Sequence, residues 1–161
     1  MECIKVFIAS SAELQEERME LVDLLQDLNA ETKKNGVYFK PVLWEYMDSS
    51  MRQGRKEDEY LVRLRECKIC ITIFWLNLGK YTKEELDVAK NEKEMGNLPE
   101  SIHVLFKAPD EKESENLRQF KEKFNEEYKG VPSYKFETSK ELRNLVTEIL
   151  IEYCSSPTTA Y

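Results

Sequence analysis

Five short apolar stretches alternate with helical patterns along the whole chain, and this alternation constrains the fold more than any other feature. The stretch 69–76 (ICITIFWL) is apolar on both faces, which is typical of a strand in the middle of a parallel sheet. We predict strands over residues 3–9, 37–44, 69–76, 102–107 and 134–136. Strands that alternate with helices indicate the α/β class, with a mainly parallel sheet.

The helical patterns cover residues 11–29, 57–66, 82–96 and 114–128, and a last helix begins at Thr138. A capping box is predicted at the start of three of these helices, as Ser10-x-x-Glu13, Thr82-x-x-Glu85 and Thr138-x-x-Glu141. Right-handed crossovers then favour the flavodoxin-like strand order 2-1-3-4-5, with helices on both faces of the sheet.

The length of 161 residues predicts one domain, over residues 1–153, followed by a polar tail (154–161) that is either a frayed end or the edge of a longer chain. The net charge of −7 argues against direct nucleic-acid binding, which needs a basic surface. No apolar run is long enough to span a membrane, and the first residues lack the basic start of a signal peptide. We therefore expect a cytoplasmic location and no membrane contact.

The sequence offers little to several common kinds of catalysis. Its one histidine, His103, lies inside an apolar run, which argues against a Ser-His-Asp or Cys-His mechanism. Cys67 and Cys70 have C-x-x-C spacing, but Cys70 lies in a predicted strand, whereas the redox motif needs a helix N-terminus. We expect four free thiols and no metal site. None of the glycines forms a phosphate-binding loop motif.

The predicted topology also predicts where a site lies. Open α/β sheets bind ligands beyond the carboxyl ends of their strands, where the strand order reverses. Here that point lies between the first and third strands. Three segments converge on it, residues 9–11, 44–56 and 75–85.

Glu85 has two interpretations. As part of Thr82-x-x-Glu85, it would only cap a helix. Alternatively, Glu85 lies at the mouth of the cleft with Tyr81 and the strand-end Trp75, where a carboxylate kept ionised by the helix dipole could stabilise a cation.

Two segments of the chain resemble bacterial TIR and TIR-like domains. Residues 5–11 (KVFIASS) and 14–18 (LQEER) resemble the opening of such domains, and residues 79–86 (GKYTKEEL) resemble their catalytic-glutamate segment. The family pattern of an aromatic residue, a glutamate, an aliphatic residue and an alanine is matched by Tyr81, Glu85, Leu86 and Ala89. The family often has tryptophan where this chain has Tyr81. The resemblance covers about residues 3–150.

The resemblance implies an NAD⁺ glycohydrolase that breaks the nicotinamide–ribose bond, with Glu85 as its catalytic carboxylate and Glu84 as the alternative. Nicotinamide leaves NAD⁺ as a neutral molecule, so this reaction needs no general acid, unlike ordinary glycoside hydrolysis. NAD⁺ is the substrate, and no further cofactor or metal is implied. The family further implies an effector of anti-phage immunity, self-association through TIR–TIR contacts, and a sensor domain or partner protein.

The substrate-binding residues expected at this cleft are Ser10, Ser11, Trp44, Asp48, Trp75 and Tyr81. The two serines would meet phosphate at a helix N-terminus, although Ser10 could equally be an N-cap, and Trp75 could equally be a core residue. The basic loop residues are expected to contact pyrophosphate or a neighbouring subunit; they are Arg52, Arg55 and Lys56. The alternative is that they form a solvated loop with no binding role.

Two other functions stay open. A non-catalytic TIR module would recruit other TIR domains through the same loops. A nucleoside deoxyribosyltransferase-like enzyme would use a glutamate to break N-glycosidic bonds of deoxynucleosides.

A response-regulator receiver needs an aspartate at the end of the third strand, where this chain has residues 74–77 (FWLN), so that class is excluded. The sequence leaves open whether the product is linear or cyclic ADP-ribose.

Overall fold

All strand pairs in the sheet are parallel. The structure is a computed structural model that describes residues 1–43 and 57–155, with the backbone alone described at 57–60. The strands are β1 (Glu2–Ser10), β2 (Val37–Val42), β3 (Ile69–Phe74), β4 (Ser101–Lys107) and β5 (Ser133–Phe136). Their order is β2-β1-β3-β4-β5, and each neighbouring pair is parallel. The predicted topology is confirmed, with a wholly parallel sheet.

Five α-helices in the described residues connect the strands. They are α1 (Gln15–Thr32), α2 (Glu57–Leu64), α3 (Lys80–Glu94), α4 (Glu115–Glu127) and α5 (Ser139–Ser155). A single 3-10 turn over Ala12–Leu14 links β1 to α1.

The sheet separates two hydrophobic clusters, so helices cover both of its faces as predicted. One face packs against α1 and α5, and its cluster includes Ile8, Leu25, Ile71, Leu105 and Val146. The opposite face packs against α2, α3 and α4, and its cluster includes Phe7, Cys70, Phe74, Leu86 and Phe124. Because side chains alternate along a strand, β3 sends Ile71 and Ile73 to one cluster and Cys70 and Phe74 to the other.

Most predicted boundaries are within two or three residues of the observed ones. The predicted cap at Thr138 is confirmed, because the Glu141 backbone N–H donates to Thr138 Oγ1 at 3.2 Å. The predicted end of β2 at Trp44 lies outside the described residues. Helix α3 begins at Lys80, two residues before the predicted start at Thr82. That shift moves Glu85 away from the helix N-terminus and changes its interpretation.

The four cysteines are free thiols. Cys67 and Cys70 are buried, and burial raises the pKa of each thiol to about 12, which keeps both protonated and unreactive. Among the described residues, no group of three or more His, Cys, Asp or Glu side chains is arranged to hold a metal ion. In the same residues, no helix is long and apolar enough to cross a membrane.

Candidate functional site

The loops after β1 and β3 touch at the point where the strand order reverses. The two strands are paired up to Ser10 and Ile73, so their carboxyl ends lie side by side. A Cβ atom at Gly79 would lie only 3.3 Å from Ser11 Cβ and 3.0 Å from Thr82 Oγ1. Glycine at this position therefore allows the β3–α3 loop to pack against the start of the β1–α1 connection.

Glu13 ties the same two loops together. Its carboxylate accepts hydrogen bonds from the backbone N–H groups of Leu76 (3.2 Å) and Asn77 (3.1 Å) and from Asn77 Nδ2 (2.9 Å). Ser11 Oγ also donates to it at 3.0 Å. The predicted capping box of Ser10 and Glu13 is therefore wrong, because Ser10 lies in β1 and Glu13 bonds across the cleft instead.

These contacts fix the charge on Glu13. Burial by itself would raise the pKa of Glu13, but the hydrogen bonds from Asn77, Leu76 and Ser11 outweigh burial, so the pKa lies below its usual value. Glu13 is therefore an ionised crosslink at neutral pH, and it holds the end of β3 at the mouth of the cleft.

Arg18 of α1 is a buried cation at the end of β1. Its side chain is only 4% exposed, and one guanidinium nitrogen donates to Ser10 Oγ at 2.5 Å and to the Ser11 carbonyl at 2.7 Å. The hydroxyl groups of both predicted phosphate-binding serines thus bond within the chain, Ser10 to Arg18 and Ser11 to Glu13. Their contact with a substrate phosphate stays a prediction.

Glu85 lies in the second turn of α3, not at its start. Gly79 is the N-cap, and the first turn contains no acidic residue, so both the Thr82–Glu85 capping box and the helix-dipole argument for Glu85 are wrong. Thr82 and Glu85 are each 3% exposed. A carboxylate this deeply buried has a role other than helix capping.

The surroundings of Glu85 place it over β3. Burial raises the pKa of the Cys70 thiol, and the charge of the Glu85 carboxylate adds to that rise. The Thr72 hydroxyl, also buried, is 3.7 Å from Cys70 Sγ. Thr72 and Cys70 of β3 and Glu85 of α3 are thus buried on the same face of the sheet, where the surrounding cluster is otherwise apolar. We call these residues the Glu85 polar cluster.

The two aromatic residues predicted to accompany Glu85 lie in different places. Tyr81 is 42% exposed and lies one helical turn before Glu85 on α3. Trp75 packs against the cluster on the opposite face of the sheet, with the Lys107 ammonium 3.9 Å from its ring centre. Its indole N–H donates to the Ala108 carbonyl at 3.1 Å. The structure therefore brings Tyr81, but not Trp75, to the side of the sheet that carries Glu85.

Comparison with known proteins identifies the family. Residues 5–151 match the family model described as "Domain of unknown function (DUF4062)". The chain belongs to the DUF4062 family. No curated protein matches this DUF4062 domain.

The fold of the DUF4062 domain is also found among solved structures. The rubredoxin oxygen:oxidoreductase from the anaerobe Desulfovibrio gigas superposes with a TM-score of 0.54 and 10% sequence identity. The match covers 98% of this chain and 37% of that protein, so the DUF4062 domain spans well under half of its length. At this identity the likeness shows the shared flavodoxin-like α/β fold alone.

The remaining predicted contacts lie outside the described residues of the DUF4062 domain. They are Trp44, Asp48, Arg52, Arg55 and Lys56. Within the described residues, the switch point has Ser10, Ser11, Glu13 and Arg18 on one side and the β3–α3 loop on the other, and Glu13 bonds across it.

Neither Glu13 nor Arg18 was predicted to have a role at the switch point. The signal for Arg18 was present, because it is a charged residue on the apolar stripe of α1, between Leu14 and Leu21. Glu13 had no such signal, since its partners follow it by more than sixty positions in the chain.

Replacing Glu13 by glutamine tests the crosslink in the DUF4062 domain. We expect Glu13→Gln to lower the free energy of unfolding by about 1–2 kcal/mol at pH 7, because hydrogen bonds to a charged acceptor are lost in a partly exposed position. Folding lowers the pKa of Glu13. The contribution of Glu13 to the free energy of unfolding is therefore complete at pH values above its pKa in the unfolded chain, and it disappears as the pH falls through its pKa in the folded chain. Urea unfolding from pH 7 down to pH 3, with the exposed Glu16→Gln as control, measures both effects. Equal stability of both variants at pH 7 would contradict this role.

Proposed function

We propose that this DUF4062 domain is an NAD⁺ glycohydrolase whose catalytic carboxylate is Glu85. The observation that carries the proposal is the position of Glu85, which is buried in the second turn of α3, the helix that follows the central strand β3. Helix capping, the strongest alternative for this glutamate, does not apply to it. The resemblance of residues 79–86 to the catalytic segment of TIR domains supports the same residue.

The reaction suits a site with one carboxylate. The bond between C1′ of the ribose and N1 of nicotinamide breaks, and its electron pair stays on N1, so nicotinamide leaves as a neutral molecule. The cation that develops on the ribose is stabilised by the negative charge of Glu85, whose effect is strong in a site of low polarity. Water then adds to C1′ and releases a proton, which gives ADP-ribose. Capture by a nucleophile within the molecule gives a cyclic isomer instead.

The burial of Glu85 has a consequence for activation. At 3% exposure, Glu85 contacts substrate only after the groups around it move apart. An enzyme that is completed by self-association, with a neighbouring subunit reshaping the cleft, fits this requirement. We therefore propose that the domain acts as an assembled effector in bacterial anti-phage immunity, and that a sensor domain or partner protein triggers the assembly.

Nicotinamide release from NAD⁺ by the purified chain tests the proposal. We expect turnover per molecule to rise with protein concentration, because assembly exposes Glu85. Chromatography of the products separates nicotinamide, linear ADP-ribose and cyclic isomers. The absence of NAD⁺ cleavage even in the assembled protein would contradict the proposal and favour the interaction module. Release of bases from deoxynucleosides, with NAD⁺ left intact, would favour the deoxyribosyltransferase-like enzyme.

A further inference from the structure

A cavity lies at the carboxyl ends of β4 and β5, away from the β1–β3 switch point. Its volume is about 390 Å³, and its lining comes from the ends of both strands and from α4. A cavity of this size accepts a small molecule. It shares no lining residue with the Glu85 polar cluster.

The cavity arises because the edge strand lacks apolar cover on one face. Tyr134 and Phe136 of β5 pack into the cluster under α5. The alternate residues, Ser133 and Lys135, line the cavity beside α4, on the face where β4 carries Phe106. Lys135 is paired with Phe106 in the sheet, so the lysine borders an aromatic floor.

The floor of the cavity is aromatic and its rim is basic. Phe106 and Phe124 meet edge to face, with their ring centres 5.6 Å apart. Three of the lining residues are lysines, Lys107, Lys121 and Lys135, and none of the lining residues, all in the described part of the chain, is acidic. The Lys107 ammonium lies on the opposite face of the sheet, against Trp75 and Glu17, so the positive charge at the cavity comes from Lys121 and Lys135.

The three lysines differ in their partners. Lys107 forms an ion pair with Glu17 at 2.8 Å, and Lys121 forms one with Glu113. In the described residues, Lys135 has no acidic partner. A lysine on an edge strand also protects the edge from pairing with other chains. That protection does not account for the aromatic floor beside it or for Asn125 and Ser133 on the rim.

We propose that this cavity binds a small organic anion, a flat apolar body that carries one carboxylate or phosphate group. The apolar body contacts the small part of Phe106 that faces the cavity, since this ring is 7% exposed. The anionic group meets the Lys135 ammonium, with Ser133 and Asn125 available as hydrogen-bond donors. This proposal is independent of NAD⁺ cleavage, since it uses a different cavity and other residues.

Binding of two simple probes, benzoate and phenyl phosphate, tests the proposal, with benzamide as the neutral control. We titrate each probe into the ¹⁵N-labelled chain and follow the backbone amide signals by NMR. For one or both anions we expect a Kd on the order of 1 mM, with the largest shifts at Asn125, Ser133 and Lys135. Benzamide is expected to bind clearly more weakly. Preference for benzoate or for phenyl phosphate identifies the anionic group.

Substitution of the rim lysine locates the site. Lys135→Ala is expected to weaken anion binding about fivefold, and Lys135→Glu to weaken it further. Lys123→Ala, on α4 but outside the lining, is expected to bind as the wild type does. Three results would each overturn the proposal. The first is that neither anion saturates the site at about 20 mM. The others are that benzamide binds as tightly as the anions, or that Lys123→Ala weakens binding as much as Lys135→Ala does. Because the probes contain no N-glycosidic bond, the result does not depend on whether the domain cleaves NAD⁺.

Discussion

Glu85→Gln is expected to reduce nicotinamide release from NAD⁺ by a factor of about 100 or more. Glutamine keeps the size of the side chain and one acceptor oxygen, replaces the other oxygen with an NH2 donor, and removes the negative charge that stabilises the ribosyl cation. Because that charge acts in the transition state, we expect kcat to fall with little change in KM. Steady-state kinetics on the assembled protein measures this separation.

The control is the neighbouring carboxylate. Glu84 is half-buried and lies next to Glu85 in α3, so Glu84→Gln makes the same chemical change one position away. We expect Glu84→Gln to keep turnover close to that of the wild type. Equal loss in both variants, or loss only in Glu84→Gln, would contradict the assignment of Glu85.

Stability separates a catalytic role of Glu85 from a structural one. Keeping a charge buried costs free energy, so removing a catalytic charge leaves stability unchanged or slightly raised. A carboxylate that holds α3 through a buried ion pair behaves differently, and its loss costs about 3–5 kcal/mol. If the role of Glu85 is purely catalytic, Glu85→Gln unfolds at the same urea concentration as the wild type or at a higher one. A large loss of stability would contradict the catalytic role.

The sequence was sufficient for the topology because the pattern of apolar residues specifies it directly. Residues 69–76 are apolar on both faces, and this places β3 in the middle of a parallel sheet. Right-handed crossovers then leave few arrangements. The alternation of side chains along β3 could also have predicted the face on which Trp75 lies. Counting in steps of two puts Trp75 on the same face as Ile71 and Ile73, whose side chains pack against α1 and α5.

The burial of Glu85 was harder to predict, because a shift of two residues in the start of α3 changes the position of Glu85 in the helix and hence its role. With a start at Thr82, Glu85 is a cap, whereas with the observed start at Lys80 it is a buried residue of the second turn. The sequence does not show that Gly79 packs against Ser11, which is the contact at the start of this helix. Glu13 depends in the same way on partners distant in the chain.

Acidification is expected to destabilise the domain through His103. His103 Nε2 lies 2.6 Å from Ser101 Oγ, and Nδ1 lies 3.2 Å from the Tyr134 hydroxyl. Burial lowers the pKa of His103 to about 4, and the charge of Lys93 contributes to the decrease. The histidine is thus a neutral, hydrogen-bonded and partly buried residue near neutral pH.

The sign of the effect follows from the two pKa values. The unfolded chain binds a proton at His103 near pH 6.5, and the folded chain binds it only near pH 4. The contribution of neutral His103 to the free energy of unfolding is therefore complete above pH 6.5 and decreases as the pH falls from 6.5 to 4. The shift corresponds to about 3 kcal/mol of unfolding free energy. His103→Gln keeps polar contacts but cannot take up the proton. Urea unfolding should therefore show a smaller loss for His103→Gln than for the wild type between pH 7 and pH 4. Carboxylates such as Glu13 titrate in both proteins, so the difference between them isolates His103, and parallel curves would refute its role.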